Sequence, residues 1–190
     1  MKSCKVWLIG LKVAFLIICF TFGTAHSQDL SHWVGKWFKL VYTFKGYETF
    51  TNPAHLPETQ NFKITLYLKI TAWDTVDPSN PFLRCTEYGK NEEGNIYQHN
   101  IDLRYLGGTD LEFLVQCNFV SSEQEHIGFA AWIRGNESNG IVKSAKFKTL
   151  GGYSWERSGD PLTPRDSQAE GVTINGNLIS ESLLPPWVPN

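Results

Sequence analysis

Histidines, thiols and carboxylates are the side chains best able to do chemistry, and here they fall into no catalytic spacing. Beyond residue 27 the histidines are His32, His55, His99 and His126. None belongs to a His-Glu-x-x-His pair or another closely spaced ligand group, so they define no metal site. Asp102, Asp110 and Glu112 could face one another across a closed sheet, but the sequence alone pairs no two of them for acid–base work. There is no Gly-x-Ser-x-Gly elbow to present a nucleophile and no glycine-rich loop to cradle phosphate. No catalytic residue, metal or cofactor is therefore assigned, and binding leads over catalysis as the class of function.

Of the four cysteines, Cys4 and Cys19 lie in the N-terminal apolar region, leaving Cys85 and Cys117. Two thiols in an exported chain are expected to form one disulfide, Cys85–Cys117. Asn136-Glu137-Ser138 is an N-glycosylation sequon, with Asn136 the acceptor in a glycosylating host.

Export is read from the first residues. Lys2 and Lys5 precede an apolar run, residues 6–23, interrupted by Lys12, and Ala25 and Ser27 have the spacing that a signal peptidase accepts. This pattern predicts a secretory signal over residues 1–27 and a secreted, extracellular protein with no membrane span after cleavage. An uncleaved anchor is the alternative, because the run approaches the length of a bilayer span. The segment holds three lysines and no acid, so residues 28–190 carry a formal charge of −5. That balance does not suggest a nucleic-acid partner.

The elements that must position any site are strands. Phe62, Ile64, Leu66, Leu68 and Ile70 alternate with Lys63, Thr65, Tyr67, Lys69 and Thr71, which puts an apolar set on one face. Further strand-like runs cover residues 36–44, 82–88, 96–106, 111–119, 126–134, 141–150 and 152–155, separated by turn-rich segments such as 77–80, 107–110 and 135–140. Residues 49–61 read as a long loop containing Pro53 and Pro57. Thr163-Pro164 reads as the start of a short helix reaching residue 169 or 170, and residues 171–179 as a last strand broken at Asn175-Gly176. The prediction is an all-β, antiparallel up-and-down barrel of about eight strands over residues 28–182, with a short C-terminal helix or loop and a proline-rich tail, 183–190. A two-sheet sandwich has the same signature.

Gly35-Lys36-Trp37, near the mature N-terminus and heading the first strand, resembles the Gly-x-Trp motif of lipocalins. Arg157, followed by Ser158 to Arg165 (SGDPLTPR), resembles the late arginine of that family and its lead into a helix. The likeness is to a divergent lipocalin-like (calycin) protein. It implies an eight-stranded calyx in which Arg157 covers Trp37 at the closed end, with Gly35 part of the same structural motif.

The implied function is binding, transport or sequestration of a small hydrophobic molecule, such as a lipid, with a protein receptor as a further possible partner. Candidate lining residues are Leu66, Leu68, Leu103, Tyr105, Phe113 and Phe129, with Tyr42, Phe44, Tyr47 and Phe50 continuing into the first loop over the mouth. The alternatives are a secreted β-protein that binds a protein or glycan through its loops, and an enzyme using a lipocalin-like pocket.

Overall fold

The computed structural model describes residues 28–50, 58–90, 94–122, 125–157, 165–170 and 172–189. The predicted signal segment lies outside them. The strands are β1 (Trp37–Phe50), β2 (Glu58–Asp74), β3 (Phe82–Lys90), β4 (Ile96–Gly108), β5 (Glu112–Ser122), β6 (Glu125–Ser138), β7 (Ile141–Arg157), β8 (Arg165–Glu170) and β9 (Thr173–Ile179). One-turn 3-10 helices occupy Ser31–Trp33 and Glu181–Leu183.

Consecutive strands from β1 to β7 pair antiparallel. β8 and β9 share one lane between β7 and β1. β8 pairs with residues 46–50 of β1 and 153–157 of β7, and β9 pairs with 37–43 of β1 and 146–148 of β7. The sheet thus closes on itself as an eight-lane antiparallel up-and-down barrel, and the sandwich alternative is set aside. Closure removes the free edges that would otherwise expose unpaired backbone groups.

Three local expectations are corrected. Residues 165–170 form a strand, not a helix. So short a helix is marginal by itself, whereas this segment finds ladder partners on both sides. Of the expected long loop 49–61, residues 49–50 belong to β1 and 58–61 to β2, because the β1–β2 register continues from Trp37↔Lys69 to Glu48↔Glu58, and the rest of it, with Pro53 and Pro57, lies outside the described residues. Asn175-Gly176 does not break β9. A Cβ on Gly176 would come within 2.1 Å of the Lys39 carbonyl oxygen, so the glycine permits close strand approach rather than a turn.

The runs 141–150 and 152–155 join in the single strand β7, and the break between them is a bulge. Ala130 pairs with Gly151 and Ala131 with Thr149, leaving Leu150 as the extra residue. The Thr149 hydroxyl repairs the adjoining ladder: it donates to the Ile174 carbonyl at 3.2 Å and accepts from the Ile174 N–H at 2.8 Å. Both backbone groups of Ile174 are thereby satisfied.

Alternation decides the polarity of the wall. Phe38, Leu40, Leu66, Leu68, Ile70, Leu83, Ile101 and Leu103 belong to one buried inner cluster. Lys39, Lys63, Asp102, Arg104, Lys146 and Lys148 are exposed on the other face. Among the described residues no helix is long and apolar enough to cross a membrane.

Candidate functional site: the barrel interior

One end of the interior is plugged. The turn Ser31–Trp33 precedes Gly35, whose φ of 83° favours a residue without a Cβ and redirects the chain into β1. The Gly35 N–H donates to the Ile70 carbonyl at 2.8 Å, and the Ile70 N–H donates to the Lys36 carbonyl at 3.0 Å. Leu30 and Trp33 are thereby carried inside, both fully buried. The Trp33 ring lies 6.2 Å from that of Phe38, nearly parallel, and 5.4 Å from that of Phe113, edge on. Its Nε1–H donates to the Asp110 carbonyl at 2.7 Å. A Cβ on Gly135 would sit 2.8 Å from Cη2 of Trp33, so this glycine makes room for the plug.

The Gly35-x-Trp37 expectation is corrected in its details. Trp37 is buried on the outside of the barrel, with Tyr67, Tyr88 and Val188. Its ring lies 5.7 Å from that of Tyr88, and the Lys69 ammonium is 5.0 Å from its centroid. The C-terminal tail covers this cluster: the Trp187 ring lies 5.6 Å from that of Tyr67, and the Lys90 ammonium is 5.0 Å from the Trp187 centroid. Arg157 cannot cover Trp37, because it pairs with Asp166, which pairs with Thr49 near the far end of β1. Twelve residues separate Thr49 from Trp37, about 40 Å of extended strand. The closed end is filled by Trp33, four residues before the motif tryptophan.

Above the plug the predicted lining residues converge. Leu66, Leu68, Leu103, Tyr105, Phe113 and Phe129 all belong to the inner cluster. Phe113 and Tyr105 form the floor. Tyr105 lies 6.1 Å from Phe113 and 5.8 Å from Trp73, and its hydroxyl donates to the Gly108 carbonyl at 2.9 Å. Burial raises the Tyr105 pKa, holding that hydroxyl protonated as a donor. Leu66 and Phe129 lie further along the wall, and Tyr42 is half-buried against the same cluster. Phe44, Tyr47 and Phe50 extend β1 rather than a lid, and their side chains lie outside the described residues.

Away from the plug the inner row becomes polar. Tyr97 packs on the inner cluster, and its ring is 5.0 Å from that of His99. His99 alternates with the inward Ile101 and Leu103 and pairs with Glu87 across β3 and β4. Glu87 follows Leu83 and Cys85 at period two on the same inner row. Its charge also helps to raise the pKa values of both Cys85 and Cys117. Glu87 and Tyr97 are not among the sequence candidates: the run 82–88 has no face assigned, and the inward row of the run 96–106 is followed only over Leu103 and Tyr105. Period two, counted from Leu83 and from Leu103, would have found them. His55 lies outside the described residues.

The expected disulfide is not formed, and both thiols are free and buried. Cys85 pairs with Ile101 and Cys117 with Leu103, on opposite sides of β4. Two lane widths separate them, about 9.5 Å, beyond the reach of a disulfide. Burial pushes the Cys117 thiol up to about 12, with repulsion from Glu87 and Asp102 adding to it. Cys85 is raised by burial as well, and its Sγ–H donates weakly to the Leu83 carbonyl at 3.6 Å. These are inert core groups, not nucleophiles. Asn136 is exposed on β6, opposite Ser144, with Nδ2 3.4 Å from the Ser144 hydroxyl.

The carboxylates considered for acid–base work are dispersed. Asp102 and Asp74 both bind Arg84 on the outer wall, Glu112 binds Arg134 at 2.5 Å, and Asp110 is exposed beside the plug. A hydrogen bond from the Val76 N–H, with help from Arg84, lowers the Asp74 pKa. Among the described residues no three His, Cys, Asp or Glu side chains gather as a metal site.

The fold and interior define a closed antiparallel up-and-down barrel, consistent with a calycin-like architecture. No protein-family model and no curated protein sequence matches the chain.

Proposed function

We propose that this chain is an exported lipocalin-like carrier or sequestering protein for a small guest with an apolar body and one polar end. The supporting observation is the gradient along the inner wall, from the packed plug of Leu30, Trp33, Phe38 and Phe113 to the polar row of Tyr42, Glu87, Tyr97 and His99. Leu66, Phe129 and Ile174 form the apolar stretch between them. The guest's body would be desolvated along that stretch, and its polar end would meet the tyrosine, histidine and carboxylate groups. The signal-like residues 1–27 and the Gly35-x-Trp37 likeness support export and a lipocalin-like role. Tyr42, Leu66, Phe129 and Glu87 are the assigned contacts. Leu68, Leu103, Tyr105 and Phe113 support the floor.

The test is displacement of a fluorescent apolar probe, 1-aminoanthracene, by dodecyl compounds that differ in head group. Binding that depends on both chain and head group, and that Ile64→Trp abolishes, is expected. Failure of the probe and of every dodecyl compound to bind would refute the reading.

A further inference from the structure

The outer wall carries a charge distribution that the interior does not use. Residues 37–45, 59–73, 141–153 and 173–179 contain no aspartate or glutamate. They belong to β1, β2, β7 and β9, which are contiguous around the barrel. The same segments hold seven of the fourteen lysines and arginines found from residue 28 onward, in a stretch of chain with net charge −5. A concentrated cationic wall on an acidic protein produces a local field opposite in sign to the overall charge.

Part of this wall is concave. A groove of about 520 Å³ runs over β9, between β1 and β7. Lys39, Lys146 and Lys148 border it, with Asn175 and Asn177 between them. The register explains the arrangement: Asn177 pairs with Lys39 on one side and Lys146 on the other, while Asn175 pairs with Val41 and Lys148. Lys39 and Lys146 therefore stand about 9.5 Å apart across the strands, and Lys146 and Lys148 about 7 Å apart along β7. Among the described residues these three ammonium groups have no carboxylate partner. Lys63 and Lys45 extend the basic wall along β2 and β1.

We propose that this groove binds a linear sulfated glycan. Ammonium groups spaced along and across the strands match sulfates distributed along a chain, and the Asn175 and Asn177 amides can serve sugar hydroxyls. Val41, on the same outer face as Lys39, lines the groove beside the lysines and offers an apolar contact to the sugar rings. The choice of a sulfated glycan rests on the export reading. The site itself is on the opposite face of the wall from the guest's contacts.

A heparin-derived octasaccharide titrated calorimetrically into the full mature chain tests this. Lys146→Gln/Lys148→Gln should weaken binding at least about tenfold through loss of two charge-assisted contacts. The charge-matched pair Lys90→Gln/Arg104→Gln, elsewhere on the surface, should change it less than about twofold. Exposed Lys-to-Gln changes should leave stability within about 0.5 kcal/mol, so lost binding would not reflect unfolding. Retained 1-aminoanthracene binding in all variants would separate the groove from the interior. No octasaccharide binding by the parent, equal losses in both pairs, or tighter binding to single-stranded DNA or phosphatidylserine vesicles would overturn the proposal.

Discussion

Replacing Gly135 by alanine tests whether Trp33 is the barrel's plug. The added Cβ would lie 2.8 Å from Cη2 and 3.0 Å from Cζ2 of Trp33, and 3.3 Å from a Val142 methyl. The indole has little room to retreat, because Phe38 and Phe113 flank it and its Nε1–H is held by the Asp110 carbonyl. Overpacking of this kind costs about 1–3 kcal/mol. Trp33→Phe removes the two ring carbons that clash, together with the hydrogen bond, and should itself cost about 1–3 kcal/mol. In that background Gly135→Ala should be cheaper by about 1–2 kcal/mol, because the new methyl occupies vacated space. Urea unfolding of the four proteins, followed by far-ultraviolet circular dichroism, measures the cycle. Additive costs, within about 0.5 kcal/mol, would refute the contact on which the plug depends.

Other expectations follow from the same geometry. Trp33→Ala should lower stability by about 3–5 kcal/mol in denaturant unfolding. Trp187→Ala should lower it by about 1–3 kcal/mol by uncovering the outer cluster of Trp37, Tyr67 and Tyr88, and a change below about 0.3 kcal/mol would show that the tail contributes nothing there. The native protein should resist alkylation, then take up two maleimides at Cys85 and Cys117 when unfolded without reductant. A mass consistent with a disulfide and no uptake would contradict the lane separation. Cys117 titrates at about 12 when folded, above the 9.0 of an unperturbed thiol. Below that lower value both states hold the proton, and above it the unfolded state loses its proton first. The thiol's contribution to stability should therefore fall by about 1.4 kcal/mol per pH unit between those values. Cys117→Ala should flatten that part of the stability profile, and an unchanged slope would count against the buried thiol.

Local alternation made much of this fold legible. Phe62 to Ile70 showed two faces, and the remaining runs recovered the strands with ends shifted by a few residues. Interruptions were harder, because the same residue types serve different purposes. Gly176 resembles a turn signal beside Asn175, yet it is needed where β9 passes the Lys39 backbone. Thr163-Pro164 resembles a helix start, while the segment after it is decided by partners more than a hundred residues earlier in β1. Such non-local pairing overrides local propensity.

The interior divided in the same way. Hydrophobic lining residues were recognisable from period two, but the depth of each along the barrel was not. Leu68 and Phe113 therefore became floor, while Leu66 and Phe129 stand further from the plug. The Trp37–Arg157 pairing followed a sequence likeness, and strand register placed the two at opposite ends. Cys85 and Cys117 were counted as a pair, although an intervening strand keeps them apart. Glu87 needed its strand face to be assigned, and Tyr97 needed the row of Leu103 and Tyr105 to be followed back along the same strand.

The most direct measurement is native mass spectrometry of the protein purified from its own source, followed by organic extraction. The account predicts one small guest per chain, with an apolar body and a polar end, lost on denaturation and absent from an Ile64→Trp variant. A guest-free mass under gentle conditions, together with a high-resolution structure whose inner wall is packed from Trp33 to Tyr97, would contradict it.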